Sequence, residues 1–215
     1  MLSRPLLLGH RGARAVKSIP ENTLASFDRA LVDGCDGFEF DLRLTSDGEA
    51  VVCHDAKVGR LHVARTQAAQ LPGLIRLPEV LDRYRKAFLD IELKVPGMER
   101  IVSEALKGRD ALSFVVSSFL PEVLANLRSI DGGLPLGLIC ETNRQLSSWK
   151  ESLVDCVIPQ RKLVQKELID ELHANGKKVL VWTVNVAAQM KQFAEWGVDG
   201  IISDNPKRLS AAMAG

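Results

Sequence analysis

Short apolar runs and amphipathic stretches alternate along this chain at a nearly constant spacing. Residues 6–9 form a brief apolar run. Residues 22–32 then set Leu24, Phe27, Ala30 and Leu31 at helical intervals, with Gly34 just beyond as a breaker. Over residues 37–44 the period switches to two, with Phe38, Phe40, Leu42 and Leu44 on one side and Glu39, Asp41 and Arg43 on the other. Ser46-Asp47-Gly48 marks a turn, and residues 50–54 read as a short returning strand. Beyond it the pattern predicts helices over 78–84 and 98–106 around a strand at 87–94. Further strands are predicted at 113–117, 135–140, 155–158, 179–185 and 200–203, with helices at 121–130, 144–151, 165–175, 187–196 and 206–213.

Repeated strand–helix alternation implies a parallel sheet covered by helices. With 215 residues, eight units of about 27 residues each fit the size of a strand–helix–strand element. The expected fold is therefore α/β, a (β/α)8 TIM barrel with a β-hairpin insertion after strand 2, forming one domain over residues 1–215. The competing architecture is an open doubly wound sheet, but no GxGxxG follows the first strand to anchor a dinucleotide.

Charge narrows the function. Lys and Arg number 28 against 27 Asp and Glu, a net of +1, so the chain lacks the basic stripe of a nucleic-acid binder and any polybasic membrane anchor. No segment approaches the roughly 18 consecutive apolar residues of a membrane helix, and Met1-Leu2-Ser3-Arg4-Pro5 lacks the apolar stretch of a secretory leader. Cys35, Cys53, Cys140 and Cys156 have no CxxC spacing, which points to reduced thiols in the cytoplasm. The expected partner is a small molecule.

In such a barrel the chemistry gathers at the C-terminal ends of the strands. His10, Arg11 and Gly12 close strand 1. Glu39 and Asp41 share one side of strand 2, and Asp90-Ile91-Glu92-Leu93-Lys94 repeats the alternation on strand 3. Three inward carboxylates, Glu39, Asp41 and Glu92, are costly to bury without compensating charge. A divalent ion with oxygen ligands, Mg²⁺, Ca²⁺ or Mn²⁺, offsets them; pairing with Arg11, Arg43 and Lys94 alone is the other reading. His10 and His54 both fall at this mouth and suit acid–base chemistry, whereas His62 and His173 read as surface residues. Trp182 suits either an apolar substrate wall or core packing, and Asn185 lies near the same mouth. The cysteines have no base beside them and read as small hydrophobes.

The ordered series His10-Arg11-Gly12-Ala13, Pro20-Glu21-Asn22-Thr23, Glu39-Phe40-Asp41-Leu42, Thr45-x-Asp47-Gly48, His54-Asp55, Asp90-Ile91-Glu92-Leu93-Lys94, Trp182-Thr183-Val184-Asn185 and Gly197 to Pro206 resembles the glycerophosphodiester phosphodiesterase family, within the phosphatidylinositol-phospholipase-C-like superfamily. The resemblance implies hydrolysis of a small glycerophosphodiester to sn-glycerol 3-phosphate and an alcohol. It implies a divalent cation, Mg²⁺ or Ca²⁺, on Glu39, Asp41 and Glu92, an acid–base pair of His10 and His54, and phosphate contacts from Arg11 and Lys94. Related alternatives are a phospholipase-type enzyme acting on lysophospholipids or phosphoinositides, and a non-catalytic phosphate-binding barrel. One departure stands out: the stretch from His54 to Glu92 is shorter than the family pattern and keeps only Arg65-Thr66 of its usual Arg-Thr-Thr-Asn-Gly type sequence.

Overall fold

A computed structural model describes residues 4–214 of the chain; Met1–Ser3, the start of the stretch read for a leader, and Gly215 lie outside the described residues. The chain opens with β1 (Leu6–Gly9), α1 (Leu24–Val32) and β2 (Gly37–Leu44), followed by three short strands, β3 (Ala50–Val52), β4 (Lys57–Val58) and β5 (Leu61–His62). Regular alternation then resumes with α2 (Leu77–Arg83), β6 (Phe88–Leu93), α3 (Glu99–Ala105), β7 (Phe114–Ser118), α4 (Pro121–Ile130), β8 (Leu136–Cys140) and α5 (Asn143–Ser147). The last units are β9 (Cys156–Pro159), α6 (Lys166–Ala174), β10 (Lys178–Val181), α7 (Ala187–Glu195), β11 (Gly200–Ser203) and α8 (Pro206–Met213).

Eight of these strands are parallel and close on themselves. The order β1-β11-β10-β9-β8-β7-β6-β2 returns to β1, which pairs with both β11 and β2. The expected TIM barrel is the observed fold. No helix among the described residues is long and apolar enough to cross a membrane.

The two-residue period of β2 explains how the layers form. Phe38, Phe40 and Leu42 point outward, where Phe27 of α1 stacks on Phe38 with centroids 4.1 Å apart and Tyr84 meets Phe38 edge-on at 4.8 Å. Inside the barrel a second apolar cluster, Leu8, Val115, Ile139, Cys156, Ile158, Leu180 and Ile202, fills the interior. The acidic face of β2 and β6 is thus left to the upper interior, above an apolar filling.

Three stretches depart from the pattern read in the sequence. The returning strand is shorter, β3, and pairs antiparallel with Leu42–Leu44; beyond it the unpredicted pair β4–β5 is too short for a period to register. These segments share a small core of their own, Val51, Cys53, Val63, Ala68 and Leu71. The helix expected over 144–151 is split into α5 and a 3-10 turn, where Ser147 and Ser148 donate to the carbonyls of Arg144 and Gln145. The strand expected to reach Asn185 stops at Val181, and only a single bridge at Trp182 to Gln160 continues it.

Candidate active site

Register builds the acidic centre. β2 and β6 pair with Glu39 opposite Asp90 and Asp41 opposite Glu92, so two strands a single hydrogen-bonding step apart present a block of four inward carboxyls. All four are buried. One oxygen from each of Glu39, Asp41 and Glu92 comes within 4.8 Å of the others. The cations present do not balance them. Lys94 Nζ lies 2.7 Å from Glu92 and 3.4 Å from Asp41, and Arg11 Nε lies 3.3 Å from Asp41. Arg43, the other cation considered, turns away and donates to the His54 carbonyl.

The carboxyls respond differently. Burial raises Glu39 well above the ordinary range, and its acidic neighbours Asp41, Glu92 and Asp90 raise it further. Burial, then Asp41, lifts Glu92 to about 7 against the pull of Lys94. Burial also lifts Asp90 to about 7, against the hydrogen bond from Ser117. Burial would raise Asp41 too, but Lys94, Arg11 and the Asn22 amide hold it below its ordinary value. Glu39 Oε1 and Asp41 Oδ1 are buried with no hydrogen-bond partner among the described residues. Orphaned oxygens in an all-oxygen donor set, short of positive charge, fit a divalent cation.

The β1 turn places the remaining groups. Arg11 has φ +50, a left-handed conformation costing on the order of 1–3 kcal/mol for a side-chain residue. It is held there because its N–H donates to Glu39 Oε2 at 2.9 Å and its carbonyl accepts from Asn22 N and Ser26 Oγ. Gly12 follows at φ +81, where a Cβ would lie 2.4 Å from Ser26 Oγ, so only glycine closes this turn against α1. The Arg11 guanidinium reaches both Glu21, at 2.6 Å, and the Asp41 side of the block.

Each of the two expected histidines sits beside a carboxylate. His10 Nδ1 is 2.7 Å from Asp204 Oδ1, and its Nε2 is 3.8 Å from Glu39 Oε2. His54 Nδ1 is 2.8 Å from Asp55 Oδ1. An ionised carboxylate only accepts, so each pairing fixes the proton on Nδ1 and leaves Nε2 free.

These groups share a cavity of about 280 Å³. His10, Arg11, Glu39, His54, Asp90, Glu92 and Lys94 form one wall; Phe119, Ile139, Ile158, Trp182 and Ile202, with Glu141, form the other. Trp182 is both packed and part of the cavity lining. Its Nε1 donates to the Ile158 carbonyl and its ring meets Phe119 edge-on at 5.5 Å, while its exposed part lines the cavity. No described residue of the 56–77 stretch lines it. His62 is exposed, and His173 pairs with Asp199 at 2.9 Å, away from this cavity. The four cysteines are buried and free, and burial pushes the Cys35 and Cys140 thiols up to about 12.

One contact of the site, that of Asp204, has no sign in the sequence, and two residues that the sequence did show, Asn185 and Asp90, take unexpected places. Asp204 is 194 residues from His10, and only barrel closure makes β11 the neighbour of β1. Asn185 is drawn into that contact, donating to Asp204 Oδ2 at 2.6 Å rather than lining the main cavity. Asp90 was visible in the alternation before Glu92, but only the packed barrel reveals that one of its oxygens is unpartnered.

Comparisons with known proteins give the family and support the fold. The model of the glycerophosphoryl diester phosphodiesterase family matches residues 10–94 and 81–208. A glycerophosphodiester phosphodiesterase of Caldanaerobacter subterraneus subsp. tengcongensis is 30% identical, the match covering 96% of each chain; one from Bacillus altitudinis is 29% identical over 94% of this chain and 95% of its own. Among solved structures, a phosphodiesterase of Oleispira antarctica in complex with the product sn-glycerol-3-phosphate superposes with a TM-score of 0.85 at 23% identity, covering 99% of this chain and 98% of that one. A glycerophosphodiester phosphodiesterase of Thermotoga maritima does so with 0.82 at 24%, covering 94% and 96%. Both structural likenesses speak for the fold, while the sequence matches run through the residues of the cavity from His10 to Ile202, and the chain belongs to the glycerophosphoryl diester phosphodiesterase family of enzymes.

Proposed function

We propose that this enzyme hydrolyses small glycerophosphodiesters to sn-glycerol 3-phosphate and an alcohol, with a divalent cation, Mg²⁺ or Ca²⁺, held by Glu39, Asp41 and Glu92. The observation that carries the reading is the convergence of three buried carboxylates short of positive charge, two of them, Glu39 and Glu92, lining one cavity with two histidines whose Nδ1 atoms are paired to carboxylates. The product bound to the Oleispira relative supports the glycerol phosphate half. A cation in this position stabilises the negative charge that grows on the phosphoryl oxygens.

The chain's own groups do the rest. Arg11 and Lys94 line the cavity beside the carboxylates and hold the phosphate by charge. His10, buried and facing Glu39, takes the proton of the attacking hydroxyl through Nε2. His54, whose side chain is 34% exposed at the rim, serves in its imidazolium form, keeping the Nδ1 proton toward Asp55 and giving a second proton from Nε2 to the departing alkoxide, which is too basic to leave unaided. Trp182 offers an apolar face to the carbon chain. The unbridged thiols support the reducing cytoplasm as its compartment.

The test is release of glycerol 3-phosphate from a panel of glycerophosphodiesters with and without chelator. Activity should vanish on chelation and return with Mg²⁺ or Ca²⁺. Full turnover by verified metal-free enzyme, or no release from any member of the panel, overturns the proposal.

A further inference from the structure

Asp90 has no part in the reaction outlined above, yet its carboxyl is 1% exposed and lines the same cavity. Oδ1 accepts from the Ser117 hydroxyl. Oδ2 is buried and has no hydrogen-bond partner among the described residues, an arrangement that folded proteins rarely leave without a purpose. Asp90 also stands outside the three residues whose oxygens converge. It precedes Glu92 by two residues on β6, about 7 Å deeper in the barrel.

Its surroundings define what it can meet. Ile139, Ile158 and Ile202 line the cavity and belong to the apolar cluster inside the barrel, as does Val115, the register partner of Asp90 on β7. Further filling comes from Leu8, Cys156 and Leu180. Asp90 thus stands at the boundary between the acidic block, where Glu39 is its register partner on β2, and the apolar filling below. A group reaching it needs a hydroxyl at its tip and hydrocarbon behind.

We infer that Asp90 Oδ2 receives the free C1 hydroxyl of the substrate's glycerol half. The inference rests on the proposed function, which sets the phosphate among Arg11, Lys94 and the histidines. In glycerol 3-phosphate the C1 hydroxyl is the oxygen farthest from phosphorus, so a substrate entering glycerol-first presents that group to the deeper carboxyl. Its methylene carbons then face the isoleucines. An acyl or alkyl chain on C1 removes the donor and meets a filled interior, so the enzyme takes deacylated glycerophosphodiesters and excludes lysophospholipids.

Equilibrium binding separates this inference from turnover. Affinities of the protein at saturating Mg²⁺ are measured by calorimetry for glycerol 3-phosphate, its 1-deoxy analogue and its 1-O-methyl ether. Wild type is compared with Asp90→Leu and Asp90→Asn. Loss of the hydroxyl should weaken wild-type binding by about 10–100-fold, and the ether should bind no better than the deoxy analogue. In Asp90→Leu the penalty should shrink below about 3-fold; in Asp90→Asn, whose amide still offers hydrogen bonds, most of it should persist. A wild-type penalty below about 3-fold, an ether that binds like the parent, or an undiminished penalty in Asp90→Leu overturns the assignment. The first two need no variant, so they decide the matter even if Asp90→Leu does not fold. Tight, hydroxyl-dependent binding without diester hydrolysis would leave this assignment standing while the proposed reaction failed; absence of any binding would sink both.

Discussion

The two histidine–carboxylate pairs are nearly identical in length, 2.7 and 2.8 Å, and differ in everything around them. His10 and Asp204 have side chains only 10% and 19% exposed, and Asp204 is tied by Asn185 at 2.6 Å and Arg14 at 3.3 Å. Burial alone would raise the Asp204 carboxyl; the hydrogen bond and charge of His10, the Asn185 amide and Arg14 together hold it well below its usual range. Asp55 is 78% exposed, and among the described residues the His54 ring has no second hydrogen-bond partner. Water screens that pair, and its attraction does little to fix the ring. One imidazole is buried and held through a tethered carboxylate; the other is exposed and paired only to an exposed one. That difference suits a base working on a hydroxyl held at a fixed centre and an acid serving alcohols of different size.

Replacing the rings tests whether the division is real. His10→Ala and His54→Ala should each lower kcat by about 10²–10⁴-fold with small changes in KM. A substrate with a p-nitrophenolate leaving group needs no protonation, so it should rescue His54→Ala and leave His10→Ala slow. Rescue of His10→Ala instead would reverse the assignment. The carboxylates should then separate the pairs further. Asp204→Asn should cost about 10²-fold in kcat, since it removes the fixed acceptor that selects the tautomer, while Asp55→Asn should cost no more than about 3-fold. Equal losses would mean that exposure does not distinguish the two.

A third measurement contrasts the acidic block with both histidines. Glu92 and Asp90 titrate near 7 in the folded metal-free protein and near 4 when unfolded, so between those values the native state binds more protons. Stability from these groups is therefore present at low pH and lost as pH rises through about 7. The melting temperature of the metal-free protein should be lower at pH 8 than at pH 6, and saturating Mg²⁺ should shrink or invert that slope. A metal-free protein that melts higher at pH 8 would show that the block is not strained by its own charge. The smallest effect should come from the thiols: replacing all four cysteines by Ser or Ala should leave kcat within about 2-fold, since burial keeps the thiols protonated. Loss of kcat in a folded Cys53 variant would reopen a nucleophilic role.

What could be read from the sequence follows the range of the forces involved. The alternation in Glu39-Phe40-Asp41 and Asp90-Ile91-Glu92 is local, because a strand turns every second side chain to one face, and it placed both acidic pairs inside the barrel. The Asp204–His10 contact is made by closure across nearly the whole chain and leaves no local trace. The pairing of β4 with β5 involves two residues on each side, below the length at which any period is visible. Burial divided the cations as well: Arg11 and Lys94 were legible as neighbours of the acidic block, but the turn of Arg43 toward the His54 carbonyl depends on the path of β3 and the chain after it.

Residues 56–77 pack Val63, Ala68 and Leu71 into a separate small core with Val51 and Cys53, and no described residue among them lines the cavity, although the stretch follows directly on His54. Its β4–β5 turn at Gly59-Arg60 is at the surface. Extra length inserted there would extend a surface turn whose packing is separate from the β2–β6 register and the acidic block. If the proposed reaction holds, selectivity for the leaving alcohol becomes a detachable trait: a longer cap grafted at the turn would add contacts to the departing group without touching the carboxylates or the histidines. A family built this way can diversify its substrates by loop length, one lineage at a time, without re-evolving its catalyst.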